Sequence, residues 1–205
     1  KTQPLMPSIE LAKTDADNIR RTVAYLNANG VRVVNMSFAG NQRHIENDLE
    51  KNGVTDPVQR QELASRIFSM ARDAFIEAIR NAPEILFVPG AGNSNDDVSF
   101  VQSVPADIDL PNVLTVGATN HAGDSAGFTS YGQRVRVYAS GDRLEGLLPG
   151  GDRMLTSGTS FAAPQVANLA AKLFALEPTL TVAEVIASEI DMTVHADKAL
   201  AALKP

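Results

Sequence analysis

The stretch from Gly158 to Leu176 constrains this chain more tightly than any other. Ala162, Ala163, Val166, Ala167, Ala170 and Ala171 recur at helical spacing and are small. A helix built from them can lie close against a sheet. Gly158 permits a tight or positive-φ turn ahead of it. Ser160 then falls at the helix start, where backbone N–H groups have no intrahelical partner and favour negative charge. Pro164 lies in the first turn or so, where its missing N–H costs least. Taken alone, a serine in this place reads as the N-cap of a buried helix.

The preceding chain supplies the sheet. Residues 1–13, with Pro4 and Pro7, read as an extended lead-in. Asp15 and Asp17 suit a first helical turn, Ile19, Val23 and Leu26 follow at helical spacing, and Gly30 is a stop signal. Residues 31–36 are nearly continuous in apolar side chains, as in a strand covered on both faces. Residues 41–56 are polar and read as surface loop. Asp56 can cap a helix with Pro57 at its first position, and Leu63, Ile67, Met70, Ala71, Ala74 and Ala78 carry its stripe to about Arg80. Strands are predicted over 85–88, 113–116 and 135–139. Thr181 and Glu184 form a capping box that opens another helix, and a short helix is expected near 197–203. Strands alternating with helices imply a parallel α/β sheet, with functional groups at the carboxyl ends of its strands. Ser37, Asn93 and Gly117 all sit just past strands.

Composition narrows the partners. With 205 residues, 44% of them hydrophobic, the chain can bury one sizeable core. Its net charge of -6 disfavours nucleic acid, because phosphate binding needs a basic face. Cysteine is absent, so neither disulfides nor thiolate chemistry contributes. No run approaches the roughly 20 apolar residues of a membrane span. Residues 1–4 contain no initiator Met and no signal-like apolar run, so a trimmed piece of a longer chain is expected.

Several ordered motifs then resemble one family. Residues 158–166 resemble the nucleophile motif of the subtilisin-like serine proteases, the subtilases. Residues 34–40 look like their substrate-cleft strand, and 87–93 like the segment holding their oxyanion asparagine. Residues 113–118 and 128–132 match the pattern between those sites. The similarity runs from about residue 18 onward, with an unusual charged helical insertion over about 41–80. The resemblance implies a three-layer, parallel-sheet α/β fold, N-terminally incomplete, forming one partial catalytic domain over 1–205. It implies that Ser160 is the nucleophile and that Asn93 donates its amide to the oxyanion together with the Ser160 N–H. It assigns Ser37, Phe38, Ala39 and Gly40 to an extended substrate strand. Gly90, Ala91 and Gly92 would line one wall of the pocket for the residue before the cleaved bond. It also implies a polypeptide substrate and a secreted or periplasmic location.

A serine hydroxyl needs a base. Subtilases place an aspartate and then a histidine ahead of the serine, in Asp-Ser/Thr-Gly and His-Gly-Thr-His surroundings. Neither motif occurs here. His44, His121 and His195 lack a following glycine, and each is expected to have a surface or structural role. Everything resembling the family lies downstream of where the histidine motif would end. The expectation is therefore an inactive portion of a serine endopeptidase domain, which needs its N-terminal half or self-associates. The alternative is a non-catalytic subtilase-like protein that holds peptides. Gly90-Ala91-Gly92 lacks the third glycine of a dinucleotide loop. No cofactor is assigned. Structural calcium is frequent in subtilases, and Asn95, Asp96, Asp97, Asp107 and Asp109 are the acidic-loop candidates. Their spacing matches no EF-hand loop, which favours solvated carboxylates.

Overall fold

Short apolar runs become strands of one parallel sheet. The computed structural model describes residues 8–194. Strand β1 (Val33–Met36) pairs in parallel with β2 (Leu86–Pro89), and β3 (Thr115–Thr119) with β4 (Val135–Ser140). Parallel bridges Phe87–Val113 and Gly90–Val116 join the two pairs, so the strands lie side by side in chain order. Their side chains alternate between two cores. Leu86, Val88, Leu114 and Val116 face α4 (Thr159–Leu176) and α5 (Val182–Val194) on one side. Met36, Phe87 and Val113 face α1 (Ile9–Ala28) and α3 (Pro57–Arg80) on the other. The result is a three-layer α/β arrangement. The small side chains predicted to bring a helix close do so: Ala162, Ala163 and Ala170 are fully buried, and α4 touches all four strands.

The helix starts follow the capping rules. Asp56 accepts from the Gln59 N–H at 2.7 Å, with Pro57 next, as the sequence suggests. Thr181 N–H donates to Glu184 Oε2 at 2.8 Å, and Glu184 N–H to Thr181 Oγ1 at 3.3 Å, completing the capping box. Those contacts hold the Glu184 carboxyl below its ordinary range.

Three expectations are corrected. The first helix starts at Ile9, not near Asp15, because the Ser8 hydroxyl accepts from the Leu11 N–H and caps it there. The polar segment after Gly40 is not all loop. Asn41 caps a helix, α2 (Gln42–Lys51), whose Ile45 and Leu49 lie on one face with Leu49 fully buried. Between β4 and α4 an antiparallel hairpin, β5 (Leu144–Leu147) and β6 (Arg153–Thr156), was not anticipated. The helix expected near 197–203 lies outside the described residues.

Asn112 welds the second layer to the sheet. Its buried Nδ2 lies within 3.0–3.2 Å of the carbonyls of Ile79, in the last turn of α3, and of Ala82 and Ile85 just after it. Asn112→Ala leaves these acceptors short of a donor. It should lower unfolding free energy by about 1–3 kcal/mol, read from urea midpoints at unchanged m-value.

Candidate active site

Two loops and one helix end meet at the carboxyl edge of the sheet. The chain leaves β1 into Ser37–Gly40, leaves β2 into Gly90–Asn93, and enters α4 after Gly158. Ser160 is not the N-cap of α4. Gly158 occupies that position, the helix starts at Thr159, and no side chain caps it. The Ser160 hydroxyl is thereby released from capping. It donates instead to the Ser37 carbonyl at 3.3 Å.

Pro164 explains the other half of this contact. In an α-helix the carbonyl of Ser160 would accept from the N–H of residue 164, which proline lacks. The Ser37 hydroxyl fills the vacancy, donating to the Ser160 carbonyl at 2.8 Å. Asn35 Nδ2 in turn donates to Ser37 Oγ at 2.9 Å. A proline in α4 and a serine past β1 therefore lock the helix start to the sheet edge. Gln165 adds a second tie, donating from Nε2 to the Ser140 carbonyl at 2.6 Å.

Asn93 is held from one side only. Its Oδ1 accepts from the Thr159 N–H at 2.8 Å and from Thr159 Oγ1 at 3.1 Å. Thr159 Oγ1 also accepts from the Gly92 N–H at 3.1 Å. With Oδ1 fixed, Nδ2 is the free end of the amide, and it has no partner among the described residues. The same holds for the Ser160 N–H in the first turn of α4. Thr159 is the positioning residue that sequence reading missed. Its only sequence signal is its place beside Ser160. Gly90 makes room for it: a Cβ there would stand 3.0 Å from Thr159 Oγ1 and 3.1 Å from its carbonyl oxygen. Gly92 adopts φ +104°, which L side chains rarely do.

Ser160, Asn93, Phe38, Ala39, Gly90 and Gly92 line one cavity of about 230 Å3. Two predicted site residues do not take their expected place. Ala91 is fully buried in a small core with Val98, Ala106 and Val135, and its N–H is bonded to the Val116 carbonyl. Gly40 exchanges both backbone hydrogen bonds with Val104 at 2.9 Å, which removes it from any substrate strand. Phe38 and Ala39, by contrast, are exposed and keep their backbone groups free among the described residues.

No imidazole among the described residues is hydrogen-bonded to the serine. Ser160 Oγ has only the Ser37 carbonyl as partner among the described residues. His44 sits on the first turn of α2 at the cavity rim, and His121 is exposed in the turn after β3. His195 lies outside the described residues. Three of the acidic-loop residues have other partners. Asp97 Oδ1 accepts from the Ser99 and Phe100 N–H groups, and Asp109 pairs with Arg134 at 2.5 Å. Asp107 faces Arg72 at 3.6 Å, and burial pushes its carboxyl up. Among the described residues no group of three or more His, Asp or Glu side chains is placed to hold a metal.

Comparison with known proteins shows the family and the fold. The subtilase family model matches residues 10–201. Subtilisin-like protease 7 of Arthroderma gypseum is 36% identical over 154 residues, covering 72% of this chain and 37% of that protein. Subtilisin-like serine protease Pen ch 13 of Penicillium rubens is 33% identical over 155 residues, covering 76% of this chain and 37% of the relative. The chain thus spans little more than a third of the length of these relatives. A crystal structure of a cold adapted subtilisin-like serine proteinase superposes with a TM-score of 0.60 at 24% identity. That likeness covers 86% of this chain and 54% of that one, and it shows the fold. The chain belongs to the subtilase family of serine proteases.

Proposed function

We propose that this chain is the part of a serine endopeptidase domain that carries the nucleophile, the oxyanion donors and the substrate strand. The observation that carries the proposal is the shared cavity: Ser160 and Asn93 line one space, Asn93 Nδ2 and the Ser160 N–H have no partner among the described residues, and Phe38 and Ala39, with unpaired backbone groups, line the same space. A peptide laid along Ser37–Ala39 adds as a strand. Ser160 Oγ attacks the carbonyl carbon, and the carbonyl oxygen becomes an anion. Asn93 Nδ2 and the Ser160 N–H donate to that anion, at the positive end of α4. Collapse breaks the C–N bond and leaves an acyl-serine, which water hydrolyses. The Ser160 proton needs an acceptor, and no described residue supplies one. Residues 8–194 are therefore inferred to be inactive by themselves, and the active protein to contain a base outside them. We treat residues 1–205 as one partial catalytic domain. The family resemblance supports a polypeptide substrate and a secreted or periplasmic location. No helix among the described residues is long and apolar enough to cross a membrane.

Thr159 tests the positioning of the amide. Thr159→Val removes the hydroxyl shared by Gly92 and Asn93 while keeping shape. It should lower kcat about tenfold, with KM within about twofold. A change in KM alone would show that Thr159 shapes binding and not the oxyanion site.

The sheet edge supports a missing covering segment. Among the described residues β1 pairs only with β2. Beside it an apolar groove of about 400 Å3 runs between α1 and the strand, lined by Ile19, Val23, Leu26, Val34, Met36 and Phe87. An open strand edge with apolar flanks is an association site. The isolated chain is expected to self-associate in sedimentation velocity, and polypeptide containing the N-terminal half of the domain should suppress this. A compact monomer at all concentrations would contradict it. Fluorophosphonate labelling of the intact protein, absent from the isolated chain, tests the peptidase proposal as a whole. An intact protein that stays unlabelled yet binds extended peptides is instead a non-catalytic peptide-holding subtilase.

A further inference from the structure

The cavity beside Ser160 is lined by one acidic residue that acyl transfer does not use. Asp96 lines its wall, and among the described residues its carboxylate has no hydrogen bond and no ion pair. Other acids nearby are occupied: Asp97 by backbone N–H groups, Asp107 by Arg72 and Asp109 by Arg134. Among the described residues no Lys or Arg lines the cavity, and His44 is its only other titratable side chain. The backbone fixes Asp96 in place. Its N–H donates to Ser130 Oγ at 3.4 Å, and its carbonyl accepts from the Tyr131 N–H at 3.0 Å. The hydroxyl residues Ser103 and Ser130, only 8% and 4% exposed, add polar groups to the cavity lining.

The chemistry of that lining selects its guest. An acidic side chain would meet Asp96 as a like charge. An apolar one would strip water from the carboxylate and from both hydroxyls without replacing it. A lysine or arginine fits each part. Its methylene stem can pass the apolar groups of Phe38 and Val101 at the cavity, while its cation reaches Asp96. We infer that this cavity takes the cationic side chain of the peptide residue on the acyl side of the scissile bond, with Asp96 as its charge partner. The inference rests on Ser160 marking the reacting carbonyl. The binding itself needs no base.

The test uses the intact protein with Ser160→Ala, so that nothing is cut. Two peptide amides that differ only in their last residue are titrated by fluorescence anisotropy, one ending in lysine and one in norleucine, which has a similar stem without the charge. The lysine peptide should bind about tenfold more tightly at low salt. That advantage should vanish in Asp96→Asn and persist in Asp96→Glu, which keeps the charge. Equal affinities, a norleucine preference, an advantage that survives Asp96→Asn, or no binding by either peptide overturns the assignment. The two proposals can fail separately. A lysine preference in a protein that never labels with fluorophosphonate removes the peptidase and leaves the pocket. Labelling at Ser160 without a lysine preference does the reverse.

Discussion

Ser160→Ala in the intact protein should abolish fluorophosphonate labelling and lower peptide turnover by about 10⁶ in kcat, the scale known for losing the nucleophile in subtilisin. The size of the effect follows from what the neighbouring hydroxyls are doing. Ser37 Oγ donates to the Ser160 carbonyl and accepts from Asn35. Thr159 Oγ1 accepts from the Gly92 N–H and donates to Asn93. Both are committed to structure. Ser160 Oγ has a single contact, at 3.3 Å, to a carbonyl that cannot take its proton. A base drawing that proton away frees the oxygen for attack, and neither the Ser37 nor the Thr159 hydroxyl is free to substitute. Ser37→Ala, which leaves the Ser160 carbonyl unpaired below Pro164, should cost far less. A label that survives Ser160→Ala and maps to Ser37 or Thr159 would show that the wrong oxygen has been identified.

Asn93→Ala is the second large effect. It should lower kcat by about 10²–10³, a magnitude taken from the oxyanion asparagine of subtilisin. KM should move within about threefold, because a ground-state carbonyl carries little charge for the amide to stabilise. Orientation makes the effect large. Thr159 takes both contacts on Oδ1, so Nδ2 arrives already aimed and no reorganisation occurs at reaction. Asn93→Asp should be at least as damaging. It keeps an acceptor for the Thr159 donors but replaces the Nδ2 donor with a carboxylate oxygen facing the developing anion. A variant with unchanged kcat would remove Asn93 from the reaction.

Much of this arrangement was legible in the chain, and the illegible parts share a physical cause. Strands buried on both faces show as unbroken apolar runs, and helices with paired caps show as spaced signals, as at Asp56-Pro57 and at Thr181 with Glu184. The α2 helix escaped because Ile45 and Leu49 are almost its only apolar residues, set among charges that read as loop. The β5–β6 hairpin escaped for the opposite reason. Leu147, Met154 and Leu155 are exposed, so its apolar residues do not mark an inward face. Ser160 and Asn93 were found by motif, yet the motif did not show what holds them. The bond from Ser37 to the carbonyl freed by Pro164 spans 123 positions, and Thr159 reaches Asn93 across 66. Such contacts leave no periodicity to read. Ala91 and Gly40 were misplaced by the same limit. A motif names neighbours in sequence, while burial of Ala91 and the Gly40–Val104 bridge depend on partners elsewhere in the chain.

The central claim is that the hydroxyl at 160 and the amide at 93 act on one carbonyl, and a crystal structure of the intact protein inhibited by a fluorophosphonate tests it most directly. The account predicts phosphorus bonded to Ser160 Oγ and one phosphoryl oxygen within about 2.7–3.1 Å of both Asn93 Nδ2 and the Ser160 nitrogen. An adduct on another residue, or a phosphoryl oxygen turned away from Asn93 toward solvent, would contradict it.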